Sequence, residues 1–376
     1  MEGQLIKIKI LFTIPNFDTA GSGKALINIA NSLRKDIFEP HISCNHDKGD
    51  LFNFAKKTGI PIHIHETTHE MIPRYRGLIK CIRLSKFFRK NGFSIIHSFH
   101  YGSDYSEALS ARIAGIPWVY TKKNMNWGGK SKNSWRLRTF FAKKVVIINN
   151  EMRNKFFKSK KNIIHIPRGV DINKHKPVNV EMEILRKFSI DKKDKIILTV
   201  ANLSHLKGIH VLIKAANILY QKRKDIHFII VGDNDSEYGK KIIAEVESSI
   251  SKNHIHFSGK IQNVSDYYSV AHLFVLPSFH EGFGVSIIEA MAHSVPVLST
   301  KVSGIKEIMS HFTDYLVKPN SPESLAINID KFLNLDEITR KNISKKFLKY
   351  VRLNYSLGKE VSAHEKLYQA IYQNNL

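Results

Sequence analysis

The chain is 376 residues long, 43% hydrophobic and 24% charged, with a formal net charge of +25. That length suits two domains better than one, and its longest apolar runs fall far short of the ~20 residues a membrane span needs. Two cysteines, Cys44 and Cys81, are too few for a disulfide framework and fit a reducing cytoplasm.

In chain order, the N-terminus alternates Lys with Ile and reads as a first strand over 6–14 rather than as a signal peptide. Directly after it, DTAGSGKA (18–25) resembles a nucleotide-triphosphate loop at first glance. Asp18 stands where a P-loop needs its first glycine, and Ala25 has no hydroxyl for Mg²⁺, so that reading fails at both ends. What survives is a glycine loop, Gly21-Ser22-Gly23, running into a helix over 22–35 whose positive end suits an anionic group; a tight strand-to-helix turn fits as well. Further strands are expected at 41–44, 61–65, 94–98, 118–121, 145–148 and 163–166. After a polar stretch (174–194), a second series follows at 196–201, 227–231, 255–258, 273–276, 295–299 and 315–317. Strands alternating with amphipathic stretches predict an α/β architecture of two doubly wound, Rossmann-like domains with parallel sheets, facing a cleft. The expected boundaries are 1–170 and 171–355, with a helix over about 356–376 packing back on the first domain. In such sheets, ligands sit beyond the carboxyl ends of the strands.

The most informative stretch is VLPSFHEGFGVSIIEAMAHSVPVLSTKVSGIKEIM (275–309). Glu281 ends a strand-loop segment, Gly282-Phe283-Gly284 forms a turn, and a helix starts near Val285 with Glu289 about one turn inside it. A ligand over that helix start can meet one carboxylate with each of two polyols, while free N–H groups of residues 283–286 hold a phosphate between them. A nucleotide sugar has that layout. Upstream, TVANLSHLKGIHVLIKAANIL (199–219) gives strand, loop, Lys207-Gly208 and helix, with Lys207 placed to meet a diphosphate. VGDND (231–235) offers a glycine turn where a base can stack, and SGIKEI (303–308) a further small-residue loop at a helix start.

These residues resemble the retaining nucleotide-sugar glycosyltransferases of family 4, which have the GT-B fold. The resemblance takes in the N-terminal glycine loop, IIHIPRGVDINKHKP (163–177) at the domain junction, the Lys207-Gly208 helix and, most densely, the Glu281/Glu289 pair. It implies transfer of a hexose from a UDP- or GDP-sugar with retained anomeric configuration. It further implies that Glu281 contacts the donor hexose, Glu289 the ribose and Lys207 the diphosphate. Gly21, Ser22 and Gly23 would face the same diphosphate or the acceptor from the other domain. Where the family often has a basic residue near position 202, this chain has Asn202; Arg168 replaces the junction asparagine and is a candidate for the missing cation. The histidine that often follows the fourth strand falls in HSFH (97–100), with Phe99 in the commonest register, His97 packing and His100 as the sugar contact. With no evident nucleophile, front-face attack is expected, Glu281 and His100 holding the oxocarbenium-like sugar. No metal or other cofactor is expected: His63 and His65 alternate on a strand, but no Cys or carboxylate completes a site.

The basic excess is uneven: residues 1–170 carry 30 Lys and Arg against 11 Asp and Glu, the remainder 28 against 22. A Lys-rich genome inflates both halves, so the asymmetry points to an anionic partner. RYRGLIKCIRLSKFFRKNGF (74–93) sets Leu78, Ile82 and Phe88 among Arg and Lys at helical spacing. Two readings fit: a helix packed on the sheet with a solvated basic face, or contact with anionic lipid headgroups. KKNMNWGGKSKNSWRLRTFFAKK (122–144), with Trp127 and Trp135 among cations, favours a membrane interface or a lipid-linked acceptor. The expected setting is the cytoplasm, peripheral on the inner face of the plasma membrane, and with these charges the family resemblance implies a part in cell-envelope polysaccharide synthesis. Rival readings are a sugar-nucleotide epimerase or phosphorylase, a non-catalytic sugar-nucleotide binder, and a nucleic-acid-binding protein. The last explains the charge but not the Glu281 region, and no nucleic-acid partner is expected.

Overall fold

The computed structural model describes residues 7–18, 20–127, 132–157, 161–174, 181–261 and 263–375. The chain divides into two compact units, Met1–Arg168 with Leu357–Leu376, and Gly169–Ser356.

The first unit is built on seven strands: β1 (Ile8–Thr13), β2 (Phe38–Cys44), β3 (Ile62–Ile64), β4 (Ile95–Ser98), β5 (Trp118–Lys122), β6 (Lys144–Ile147) and β7 (Ile163–His165). All are parallel, in the order β3-β2-β1-β4-β5-β6-β7. Helices on both faces bury the central strands; β4 and β5 have no exposed residue, including their polar ends His97, Ser98, Thr121 and Lys122. The helix Leu357–Gln373 belongs to this unit: Val361, Leu367, Tyr368 and Ile371 join the core of β1, β2 and the helix Ala20–Ser32. Glu365 accepts from the backbone and side chain of Arg34, and the Tyr368 hydroxyl meets His97 Nδ1 at 2.7 Å.

The second unit carries β8 (Lys195–Val200), β9 (Ile226–Val231), β10 (Ile255–Gly259), β11 (Leu273–Leu276), β12 (Val297–Thr300) and β13 (Leu316–Val317). They too are parallel, in the order β10-β9-β8-β11-β12-β13. Both sheets reverse their winding once, between β1 and β4 and between β8 and β11. Loops diverge at such a point and leave a crevice at the carboxyl ends of the two strands.

One local expectation changes. The helix expected over 22–35 runs Ala20–Ser32, so Gly21 and Gly23 lie in its first turn and not in a loop before it. Gly23 is small for packing: a Cβ there would stand 2.5 Å from Leu51 Cδ2, whereas Gly21 has open space. The junction stretch 163–177 is described only to Lys174, and residues 175–177 lie outside the described residues.

Candidate functional site

In the second unit the winding point brings together the two segments that the sequence singles out. After β8 the chain passes through Asn202, which is exposed, into the single turn His205–Lys207 and the helix Ile209–Lys222. Gly208 makes that path possible. Its φ is +68°, and a Cβ would stand 2.1 Å from the carbonyl oxygen of Pro277 in the loop after β11. The two loops are stitched by Phe279 N–H donating to Leu206 O at 2.8 Å. Across this seam Lys207 Nζ donates to Glu281 Oε1 at 2.6 Å, and Ser278 Oγ donates to the same oxygen at 2.8 Å. Glu281 is buried, while Lys207 keeps 26% of its side chain exposed. The expected separate duties of Lys207 and Glu281 are therefore coupled: without ligand, the ammonium is held by the carboxylate.

Beyond Glu281 the chain turns at Gly284 (φ +104°) into the helix Val285–Ala292, whose N-terminus no side chain caps. Ile287 N–H already donates to Gly284 O, which leaves the first-turn donors at Val285 and Ser286 to meet an anion. Glu289 follows four residues later, about 6 Å along the axis. Its Oε2 lies 3.1 Å from the Tyr268 hydroxyl, whose single proton it shares with Ser286 O at 3.2 Å. Burial first, and then the neighbouring Glu289, push the Tyr268 hydroxyl well above its usual range, so it stays a donor. Gly304 lies against the carbonyls of Glu281 and Gly282, which brings the 303–308 loop beside the same helix start. The Phe283 ring is buried edge-on against Tyr355 (centroids 5.7 Å apart), which leaves to this turn the backbone role expected of it.

The first unit's winding point lies between β1 and β4, with the start of the helix Ala20–Ser32 beyond β1 and His100 beyond β4. His100 is buried, its Nε2 lies 3.0 Å from Thr67 Oγ1, and burial lowers its pKa to about 4, so it is a neutral imidazole near pH 7. Phe99 is buried, and His97 is locked in the sheet between Tyr368 and Thr121 Oγ1 (2.8 Å), which fits packing. Arg168 is buried; its Nη1 donates to Glu360 Oε1 at 2.9 Å and its guanidinium lies 5.5 Å from the Phe99 ring centroid, so its charge is matched inside the first unit.

Lys122, Lys123 and Arg138, read from the sequence only as cations of the 122–144 stretch, are drawn into the fold. Lys123 Nζ donates to Phe99 O and lies 3.5 Å from the Tyr101 ring centroid. Lys122 Nζ donates to Asn124 O (2.6 Å) and Asn126 O and is ringed by Trp127, Trp135 and Phe156; burial lowers its pKa to about 7. Arg138 donates to the Gly102 and Asp104 carbonyls and stacks on Trp118 and Tyr120. Trp135 is buried and Trp127 half-buried, their rings 5.2 Å apart around the Lys122 ammonium. The available signal was a Lys-Lys pair closing an apolar strand, where side chains still point into the fold. With His100 and Tyr101, both lysines line a small cavity beyond β4 and β5. Part of the basic excess is therefore internal. Among the described residues no group of three His, Cys, Asp or Glu side chains is arranged to hold a metal ion.

Comparison with known proteins follows the same division. Residues 19–174 match the family model described as Glycosyltransferase Family 4, and residues 180–349 that of Glycosyl transferases group 1. A curated relative from Campylobacter jejuni, N,N'-diacetylbacillosaminyl-diphospho-undecaprenol alpha-1,3-N-acetylgalactosaminyltransferase, is 25% identical over 84% of this chain and 87% of its own. A glycosyltransferase from Rickettsia africae shares the fold with a TM-score of 0.86 at 21% identity, covering 98% of this chain and 99% of that one. Anabaena HepE, solved in complex with UDP-glucose, superposes with a TM-score of 0.81 at 19% identity over 96% of this chain and 99% of its own.

Proposed function

Because the chain belongs to glycosyltransferase family 4, with the GT-B fold, we propose that it transfers a hexosyl unit from a UDP- or GDP-sugar to an acceptor hydroxyl. The observation that carries this reading is the Lys207–Glu281 pair beside an uncapped helix start, with Glu289 one turn further on. The donor diphosphate lies over the N–H groups of Val285 and Ser286 and draws Lys207 away from Glu281. Glu281, released, accepts from hexose hydroxyls, and Glu289 accepts from the ribose. HepE's complex with UDP-glucose supports a nucleotide-sugar donor.

Transfer proceeds with retention by front-face attack. The anomeric C–O bond breaks with its electron pair passing to the β-phosphate oxygen. The acceptor oxygen bonds the anomeric carbon on the same face, and its proton goes to the departing phosphate. Lys207 and the helix start stabilise charge that grows on that oxygen, an effect of about 2.7–4 kcal/mol for one well-placed donor. No metal is required, and EDTA leaves transfer unchanged.

The acceptor is a glycan or a lipid-linked glycan of the cell envelope, a reading the Campylobacter relative's diphospho-undecaprenol acceptor supports. The enzyme works on the cytoplasmic side, peripheral to the membrane; among the described residues no helix is long and apolar enough to cross one. Calorimetric titration with UDP and GDP, with ATP and a DNA duplex as controls, tests the core of the proposal. Saturable binding of one diphosphate, lost in Glu289→Ala, supports it. Duplex binding with neither diphosphate recognised overturns it.

A further inference from the structure

The helix Arg74–Lys90 turns one face inward through Cys81, Leu84 and Phe88. Packing does not account for the rest of it. Tyr75, Leu78, Ile79 and Ile82 are 61%, 46%, 47% and 41% exposed, and Ile72, just ahead of the helix, is 85% exposed. Steps of three and four residues gather the four helical side chains into one arc of about 100° on the solvent side. Isolated exposed leucines need no explanation, but a contiguous stripe of large aliphatic and aromatic groups does. The charges on this helix have one sign. Arg74, Arg76, Lys80, Arg83 and Lys86 are all exposed, and the seventeen-residue helix contains no Asp or Glu. The sequence offered two readings of this stretch, and the structure divides it: Phe88 packs inward while Leu78 and Ile82 face water.

We propose that the face of the helix Arg74–Lys90 presenting Tyr75, Leu78, Ile79 and Ile82 docks on an anionic lipid bilayer. The helix lies in the plane of the interface, its apolar arc sinks among the acyl-chain ends, and the flanking Arg and Lys side chains meet lipid phosphates. Charge complementarity selects this occupant. A second copy would bring two helices of like charge together, whereas an anionic leaflet neutralises the cations and accepts the apolar arc at once. The inference gives the proposed peripheral enzyme its membrane-facing surface, yet lipid binding is measured without donor, acceptor or turnover. Failure of the transferase reading would leave it standing, and the reverse.

The test is flotation of the full chain with phosphatidylcholine vesicles, with and without phosphatidylglycerol. The expected result is binding to the anionic vesicles only, weakening as salt is added. Leu78→Ser/Ile82→Ser should weaken that binding about tenfold or more. Both side chains are exposed, so the variant should melt with the parent, and this is checked first. A second variant, Ile79→Trp, should show tryptophan emission that shifts to the blue with anionic vesicles alone, relative to the parent. Absence of binding to anionic vesicles, undiminished binding by the double variant, or no vesicle-dependent shift from the Ile79→Trp variant beyond the parent's would each overturn the proposal. So would a dimer in sedimentation that the double variant dissociates, since a second copy would then cover the stripe.

Discussion

If the donor diphosphate takes Lys207 from Glu281, neutralising Glu281 should help the nucleotide and harm the sugar. The pair is 2.6 Å apart, with the carboxylate buried and the lysine 26% exposed. Allowing for solvent around the ammonium, breaking it costs about 1–2 kcal/mol, between an exposed and a buried pair. Glu281→Gln removes that cost, since a carboxamide holds a lysine only weakly, and UDP or GDP should bind about 5- to 30-fold tighter. Transfer should fall sharply in the same variant because the hexose loses its carboxylate partner. Lys207→Ala should move the nucleotide the other way, weakening it about tenfold or more while reducing kcat on the order of 10²–10³. Calorimetry of both variants with UDP and GDP, beside initial rates with the full donor, separates the effects. Weaker nucleotide binding by Glu281→Gln would refute the exchange and leave Lys207 as a structural partner of Glu281.

Other outcomes follow from the same coordinates. Glu289→Ala should lose nucleotide binding about 10- to 100-fold, through loss of a charged hydrogen-bond acceptor, with melting nearly unchanged; calorimetry decides. His100, His256, His272 and His364 are kept neutral by burial, with pKa values of about 4 against an ordinary 6.5. Unfolding lets them bind protons between those values, so stability is fully present above about pH 6.5 and is lost as pH falls towards 4. Melting temperatures flat from pH 7.5 to 4.5 would contradict this. Deleting residues 357–376 removes Val361, Leu367, Tyr368 and Ile371 from the first core, on the order of 6–12 kcal/mol of apolar burial. Since that rivals the whole stability of a domain, the shortened chain should be insoluble or expanded, as size-exclusion and circular dichroism would report.

What could be read from the sequence was whatever one segment contains. Glu281, the glycine turn, the helix start and Glu289 lie within nine positions, and the geometry keeps them in that order. The alternation of apolar runs with amphipathic stretches located every strand, because a parallel sheet covered on both faces leaves continuous runs. Contacts between distant segments were hidden. Lys207 and Glu281 are 74 positions apart, and Arg168 and Glu360 192 apart, so no spacing rule announces that each cation already has its anion. The contact of Trp127 and Trp135 with Lys122 was not legible either, because aromatic residues among lysines look alike whether they ring an ammonium or face a membrane. The glycines at 21 and 23 suggested a loop, yet both lie in the first turn of a helix, where Gly23 packs close to Leu51.

The return of the helix Leu357–Gln373 to the first unit bears on the order in which the protein is made. The second unit is one continuous stretch, Gly169–Ser356, and can close its core as soon as β13 and the helices after it have left the ribosome. The first unit begins earlier but cannot finish, because four of its core side chains and the partner of Arg168 are encoded beyond the second. Vectorial synthesis ordinarily completes the N-terminal domain first. Here the half that starts second is complete first, and for the span of some 190 codons the apolar surface awaiting Val361, Leu367, Tyr368 and Ile371 stays open to chaperones and to neighbouring chains.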